Sequence, residues 1–159
     1  MKFSSQEEYG IRCLIRIGKS GSPNGLTIPE ISELEGLSPS NVAKILRILR
    51  LGKFVESARG QTGGYKLARE PKDIKISNVM NALGGKLYEE SFCDSHSGAL
   101  NICTNSVDCS VRSLWSTIQN MLDGVLSKVT LKDLLGKEKQ VINLVSNYSN
   151  KVTSKLIKN

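Results

Sequence analysis

Apolar side chains recur at intervals of three or four residues through most of this chain, which is the spacing of a buried helix face. The pattern predicts helices over residues 6–20, 27–36, 76–83 and 107–129, with a further helix that starts at residue 38. A short capping helix at 130–135 and a weak helix beyond residue 136 complete the prediction. The sequence therefore predicts a mostly helical protein.

The spacing of the apolar residues changes after the helix that starts at residue 38. Ser38 is a good N-cap and Pro39 suits the first helical position, so this helix follows the preceding one after a short turn. Two short apolar and basic runs, at about 53–57 and 65–67, then flank a glycine-rich loop, which indicates a two-stranded hairpin. A helix-turn-helix followed by a hairpin predicts a winged helix-turn-helix domain with a small two-stranded wing.

The pattern divides the chain into four parts. These are a winged-helix domain at 1–85 with the wing at 53–67, a cysteine-bearing loop at 86–106, a long dimerisation helix with a short capping helix at 107–136, and a basic tail at 137–159. The long apolar stripe needs a covering surface, and we interpret it as a dimer seam, with folding back onto its own domain as the alternative. The tail is expected to be partly helical or disordered.

The formal net charge is +7, and much of the basic excess lies in one place. Residues 38–69 contain seven Lys and Arg against the single acid Glu56, in the segment that has the helix-and-wing pattern. A basic stripe confined to one such unit is typical of a duplex DNA binder, whereas a solvated basic face is the ordinary alternative. The candidate DNA-binding residues are Ser38, Ser40, Asn41, Lys44, Arg47, Arg59 and Gln61.

Other function classes find little support in the sequence. No apolar run approaches transmembrane length, and the N-terminus leads into acidic residues rather than a signal-peptide core, so we expect a cytoplasmic protein without a membrane partner. The chain has one histidine and shows neither a nucleophile elbow nor a phosphate loop. It is therefore not expected to be an enzyme.

Three of the four cysteines form the second candidate site. Cys93, Cys103 and Cys109 lie in a polar stretch before the long helix, and Cys109 falls in its first turn, where the helix dipole favours a thiolate. Their spacing differs from the close pairs of a zinc knuckle but suits a loop around an iron–sulfur cluster, which normally takes four ligands. Cys13 lies on the apolar face of the first helix and is interpreted as a core residue.

These features together resemble one protein family. The Met-Lys-Phe-Ser-Ser start, the Arg-Gly-Gln-Thr-Gly-Gly-Tyr run at 59–65, the three cysteines and the Ser-Leu-Trp run at 113–115 are similar to the IscR/NsrR/RirA family of iron–sulfur-sensing winged-helix regulators, the Rrf-two type. The resemblance implies a homodimer on a palindromic double-stranded operator. It further implies a repressor whose operator affinity is controlled by a 4Fe–4S or 2Fe–2S cluster that responds to nitric oxide, redox state, or iron and cluster supply.

The fourth cluster ligand is where the chain departs from part of the family. Members with three cysteines and a histidine carry that histidine where this chain has Arg112, and a guanidinium does not ligate iron. The nitric-oxide-sensing branch implies Glu8 of the partner subunit instead, His96 within the loop is the rival ligand, and solvent or a small thiol is the remaining alternative. The alternative function is a cluster-free regulator of the same fold that acts by cysteine thiol oxidation or by docking a metabolic enzyme.

Overall fold

The computed structural model describes residues 4–58, 63–89, 91–97, 103 and 105–156. Its elements in order are α1 (Ser5–Lys19), α2 (Ile28–Glu35), α3 (Pro39–Leu51), β1 (Val55–Ser57), β2 (Tyr65–Leu67), α4 (Ile76–Leu83), α5 (Phe92–Ser95), α6 (Ser110–Leu126), α7 (Leu131–Leu134) and α8 (Glu138–Leu156). The predicted fold class, a mostly helical chain with a two-stranded antiparallel wing, is confirmed.

Side-chain caps fix where the first three helices begin. Ser4 and Thr27 each form a reciprocal capping box with the glutamate three residues later, and Ser38 accepts a hydrogen bond from a backbone N–H of the first turn of α3. Gly36 ends α2 with a φ of 65°, a left-handed conformation that glycine adopts at low cost. These local signals reproduce the predicted helix-turn-helix.

The main core lies where α1, α2 and α3 pack beneath the wing. The buried stripe of α3 is the predicted one, formed by Val42, Ile45, Leu46 and Leu49. Cys13 is fully buried in the same core, which confirms its interpretation as a core residue. Because α3 is buried along this stripe, its opposite face is left to solvent.

The wing is anchored to the loop before α2. Val55 pairs with Leu67 and Ser57 with Tyr65 across the antiparallel strands, and Tyr65 exchanges two further backbone hydrogen bonds with Leu26, of 2.7 and 2.9 Å. A Cβ on Gly64 would lie 2.7 Å from the Leu26 carbonyl carbon, so the approach of these two chain segments needs glycine. The base of the wing is therefore fixed on both sides.

The long helix α6 begins later and is shorter than the sequence predicted. It starts at Ser110 because the Cys109 side chain caps it, with the thiol accepting from the Arg112 backbone N–H at 3.3 Å. Val107 precedes this cap and is 96% exposed. At the other end the chain leaves the helix after Leu126, because the backbone at Val129 accepts a hydrogen bond from Ile76 instead.

The tail forms one long helix that packs against α6, which is more order than the sequence predicted. α8 has 19 residues, and Val152 lies 3.0 Å from the position of a Cβ on Gly124 of α6. A second apolar cluster joins α4, α6 and α8 around Ile76, Met80 and Val129. One side of α6 is therefore covered by its own chain, which is the alternative to a dimer seam.

The other side of α6 remains uncovered in the single chain. Val111, Leu114, Trp115 and Met121 are between 38% and 60% exposed at helical spacing. The stripe that the sequence assigns to a dimer seam is therefore divided between a buried and an open face.

Candidate nucleic-acid interface and cysteine-lined cavity

The solvent face of α3 carries the predicted base- and phosphate-contacting residues. Ser40, Asn41, Lys44 and Arg47 are all exposed, on the side opposite the buried stripe. Lys44 and Arg47 form no ion pair with any carboxylate in the described part of the chain. Amide and cationic groups on an unobstructed helix face have the chemistry to reach base edges and phosphates in a major groove.

Ser38 has a structural function at the start of this helix. Its hydroxyl accepts from the Asn41 backbone N–H at 3.4 Å and lies 3.1 Å from the Ser40 hydroxyl. The free N–H groups of this first turn and the positive end of the helix dipole lie at the same exposed end of α3. Ser38 is thus predicted to contact DNA and, in addition, caps α3 through its side chain.

A three-residue ion cluster that sequence reasoning missed ties α1 to the end of α2. The Glu35 carboxylate accepts from Arg12 Nε at 2.9 Å and from Arg16 Nε at 2.6 Å, and its side chain is only 7% exposed. Arg12 also donates to the Glu35 carbonyl oxygen at 2.7 Å. The available sequence signal is the pair of arginines four residues apart, which share one face of a helix.

The described part of the wing is held by two close pairings between its strands. Ala58 donates to the Gly64 carbonyl at 2.9 Å, and Lys66 pairs with Glu56 at 3.2 Å across the strands. Arg59 and Gln61, the predicted wing contacts, lie outside the described residues, so their role stays a prediction.

The three loop cysteines come together around one cavity. Cys93, Cys103 and Cys109 line a space of about 370 Å³ together with Arg112, and each of the three is half-buried and outside any disulfide. Cys13 lies apart from them in the core, where burial raises the pKa of its thiol to about 11. The structure thus separates one structural cysteine from three accessible ones, as the sequence predicted.

Two of these thiols are held by identifiable contacts. Cys109 caps α6, and the Arg112 side chain donates to the Ser106 carbonyl at 3.1 Å, which closes the turn beside it. Cys93 lies in the short helix α5, and its Sγ is 3.6 Å from the Tyr88 hydroxyl. The hydrogen bond with Cys93 is the largest cause of a raised Tyr88 pKa, so the phenol stays protonated and available as a donor.

A buried glutamine on α6 anchors the chain leading to α5. Gln119 is 8% exposed, and its Oε1 accepts from the Tyr88 backbone N–H at 3.0 Å while its Nε2 donates to Asp123 at 2.9 Å. Sequence reasoning missed this residue. The signal was a polar side chain among the apolar positions of a helix, which must find a partner when it is buried.

The donor set fits a polynuclear centre better than a single ion. Within the described ranges, no three His, Cys, Asp or Glu side chains are arranged to hold one metal ion. Three thiols that surround a common cavity, without converging on one point, match the larger core of an iron–sulfur cluster, and soft thiolates are its usual protein ligands.

Neither candidate fourth ligand lines the cavity within the single chain. Glu8 is exposed on α1. The His96 ring stacks on Phe92 with 3.9 Å between centroids, and its Nδ1 lies 2.9 Å from the Phe92 carbonyl oxygen. Asp94 is the carboxylate that borders the cavity.

None of the helices in the described segments is both long and apolar enough to cross a bilayer.

Comparisons with known proteins agree with this architecture. A family model described as Rrf2, iron-dependent transcriptional regulator, matches residues 3–137. The chain is 30% identical over 135 residues to Protein rrf2 of Nitratidesulfovibrio vulgaris, across 85% of this chain and 87% of that protein. The solved structure of T. potens IscR has 29% identity and a TM-score of 0.66 over 85% of this chain and 86% of that one. CymR, the global cysteine regulator of B. subtilis, has 26% identity and a TM-score of 0.68 over 85% of this chain and 96% of that one. The chain therefore belongs to the Rrf2 family and is a DNA-binding transcriptional regulator with a winged-helix fold, not an enzyme.

Proposed function

We propose that the protein is a homodimeric repressor whose affinity for a palindromic operator is controlled by an iron–sulfur cluster held by Cys93, Cys103 and Cys109. The observation that carries the proposal is that these three thiols line one cavity while the fourth cysteine, Cys13, lies in the core. When bound, such a cluster supplies iron that reacts with nitric oxide or oxygen and that is lost when iron is scarce.

The partner subunit's Glu8 is the proposed fourth ligand. Glu8 is exposed on α1, and its carboxylate forms no hydrogen bond or ion pair with the described residues of its own chain, so it is available to a second subunit. A carboxylate is a harder ligand than a thiolate, and it leaves one iron easier to displace, which suits a sensor. His96 remains the rival, although its ring already stacks on Phe92.

The open face of α6 supports the homodimer. Four large apolar side chains in register on one helix, among them Leu114 and Trp115, are an unusual surface to leave in water. A second copy of the same helix would cover them. In such a dimer the two α3 helices enter successive major grooves roughly 34 Å apart, with Arg59 of each wing in the flanking minor groove.

The test of the cluster is anaerobic purification with measurement of visible absorbance, iron and acid-labile sulfide. The wild-type protein should be brown and should contain iron and sulfide in a fixed ratio to the chain. Cys93→Ala, Cys103→Ala and Cys109→Ala should each lose the cluster, whereas the matched control Cys13→Ala should keep it. Full iron and sulfide in any of the three loop variants would refute the three-thiolate assignment.

The fourth ligand requires a separate comparison. Glu8→Ala should give a cluster that bleaches faster in air, while Glu33→Ala, which changes an exposed glutamate on α2, should behave as wild type. A damaging His96→Ala together with a harmless Glu8→Ala would move the ligand into the loop.

A cluster-free regulator that acts through thiol oxidation, or by docking a metabolic enzyme, is the second candidate. It is favoured by the likeness to CymR, the global cysteine regulator of B. subtilis, and by three accessible thiols that share one cavity. Colourless protein from strictly anaerobic cells, with operator binding that responds to peroxide and is restored by a thiol reductant, would establish oxidation as the mechanism.

A further inference from the structure

Cys93, one of the three thiols of the cysteine cavity, has a hydrogen-bonding partner that the family resemblance does not assign. Tyr88 is 6% exposed, and its hydroxyl lies 3.6 Å from the Cys93 Sγ, within the range of a hydrogen bond to sulfur. The phenol ring also packs against Phe92 in α5, with 5.8 Å between ring centroids. A buried hydroxyl directed at a sulfur in this way donates more favourably as negative charge on that sulfur increases.

The position of this tyrosine is fixed by α6. Gln119 accepts a hydrogen bond from the Tyr88 backbone N–H at 3.0 Å and is itself oriented by Asp123. Together with the contact between Tyr88 and Cys93, these bonds form a chain of three that leads from Cys93 to α6, and the bond between Tyr88 and Gln119 is the one that crosses to the helix. Every buried side-chain polar atom in the described part of the chain has a partner, and Gln119 owes its partners to this arrangement.

We propose that Tyr88 is a positioning residue for the cluster: its hydroxyl donates a hydrogen bond to the Cys93 thiolate, and Gln119 holds it there. The inference rests on the proposed function and deepens it. Hydrogen bonds to cluster sulfurs stabilise the more negative, reduced form and orient the ligands, so they raise the reduction potential and slow cluster loss. The bond also makes the sensor ligand dependent on the position of α6.

The first variant is Tyr88→Phe, which removes one oxygen and leaves the packing. It should assemble the same amount of iron and sulfide as wild type. It should lose them about ten-fold faster to a chelator under anaerobic conditions, with a more negative midpoint potential and shifted visible bands. Tyr148→Phe, a half-buried tyrosine on α8, is the matched control and should match wild type in all three measurements. Identical potential, spectrum and loss rate in Tyr88→Phe would overturn the proposal.

The second variant tests whether Gln119 acts through Tyr88. Gln119→Met removes the hydrogen bonds of this side chain with Tyr88 and Asp123 while keeping a similar side-chain volume, and it should also accelerate cluster loss. In the double variant with Tyr88→Phe the two effects should not add, because both changes remove the same bond to Cys93. Additive effects would mean that Gln119 supports the fold independently of the Tyr88 hydroxyl, which would refute the linkage.

A measurement on cluster-free protein separates this inference from the proposed function. Site-resolved alkylation with iodoacetamide at fixed pH should be slower at Cys93 in Tyr88→Phe than in wild type, because the reacting thiolate has lost its donor. Cys103 serves as the internal reference. If wild-type protein never holds iron but this difference is present, the cluster proposal fails and the hydrogen bond stands. If wild type holds a cluster and Tyr88→Phe changes nothing, the hydrogen-bond proposal fails and the cluster proposal stands.

Discussion

Substitution of Glu35 by glutamine tests how the helix-turn-helix is held in place. In the wild-type structure one nearly buried carboxylate receives two guanidinium groups from successive turns of α1, at 2.9 and 2.6 Å. The glutamine side chain would retain one carbonyl acceptor and nearly the same volume but would carry no charge. The change therefore removes the ion cluster without opening a cavity.

The size of the effect follows from exposure. A hydrogen bond to a charged group contributes about 1.5–3 kcal/mol, and the lower end applies here because Arg12 and Arg16 are 40% and 39% exposed, which allows water and salt to screen them. Two such bonds contribute roughly 3 kcal/mol, of which the glutamine recovers about 1 through a neutral bond. We expect Glu35→Gln to lower the free energy of unfolding by about 2 kcal/mol, equivalent to about 4–8 °C in the melting temperature.

The assay is urea unfolding followed by circular dichroism, with Glu33→Gln as the matched control. Glu33 lies on the same helix, is exposed and forms no ion pair with the described residues, so its substitution should change the free energy by less than about 0.5 kcal/mol. The deficit of Glu35→Gln should shrink in high salt, since part of the wild-type stabilisation is electrostatic.

Three outcomes would count against this reasoning. A stability of Glu35→Gln equal to that of the control would show that the carboxylate contributes nothing net. An effect independent of salt would indicate packing as its origin. Additivity of Glu35→Gln with Arg16→Gln would show that the two side chains are not energetically coupled.

Three further predictions concern DNA, assembly and pH. Arg59→Ala should weaken operator binding by about 1–3 kcal/mol at fixed salt in a fluorescence anisotropy titration, because it removes the cation that is proposed to enter the minor groove; an unchanged binding curve would refute this assignment of the wing. Leu114→Asp should convert the proposed dimer to a monomer in sedimentation velocity, while Ile142→Asp, at a similarly exposed position on α8, should not; a dimer in both would place the seam elsewhere. Burial raises the Cys13 pKa from 9.0 to about 11, so between these values the unfolded chain releases a proton that the native state retains. The contribution of the Cys13 thiol to the free energy of unfolding is therefore fully present below pH 9. It falls as the pH rises toward 11, by at most about 3 kcal/mol. Cys13→Ala should lose this part of the alkaline destabilisation in denaturant titrations, and equal alkaline losses in both proteins would contradict it.

The elements that the sequence predicted well are those with local determinants. The starts of α2 and α3 follow from caps at Thr27 and Ser38, whose partners lie within the first turn, and the buried face of α3 follows from its period. The placement of Cys13 in the core and of three cysteines outside it followed from polarity alone. These features need no knowledge of what packs against them.

The features that sequence reasoning missed depend on distant partners. Glu35 and Gln119 became informative only when the fold brought Arg16 and Tyr88 to them. The start of α6 was placed too early because the apolar period runs through Val107, while the actual cap is a cysteine, which is not among the usual capping residues. α8 begins just beyond the segment that the family model matches, so no resemblance pointed to its packing on α6.

The short helix α4 packs between the elements that carry the two candidate sites. One face of it, with Val79 and Leu83, belongs to the core shared with α1 and α3, and the other, with Ile76 and Met80, packs in the cluster that includes α6 and α8. A helix buried on both faces at interior packing density does not shift on one side without repacking on the other.

The same helix end also contacts the turn of α1 that carries Glu8. The Gln6 side chain donates to the Leu83 carbonyl, and the Leu83 side chain packs directly against Gly10. A change in what holds Glu8 would therefore act on a turn that rests on α4, and α4 in turn supports α3. Coupling between binding sites typically amounts to about 1–3 kcal/mol, which is the scale of repacking a single buried leucine. The contacts of Leu83 are thus sufficient in size, and correctly placed, to connect ligand exchange at the proposed cluster with the position of α3.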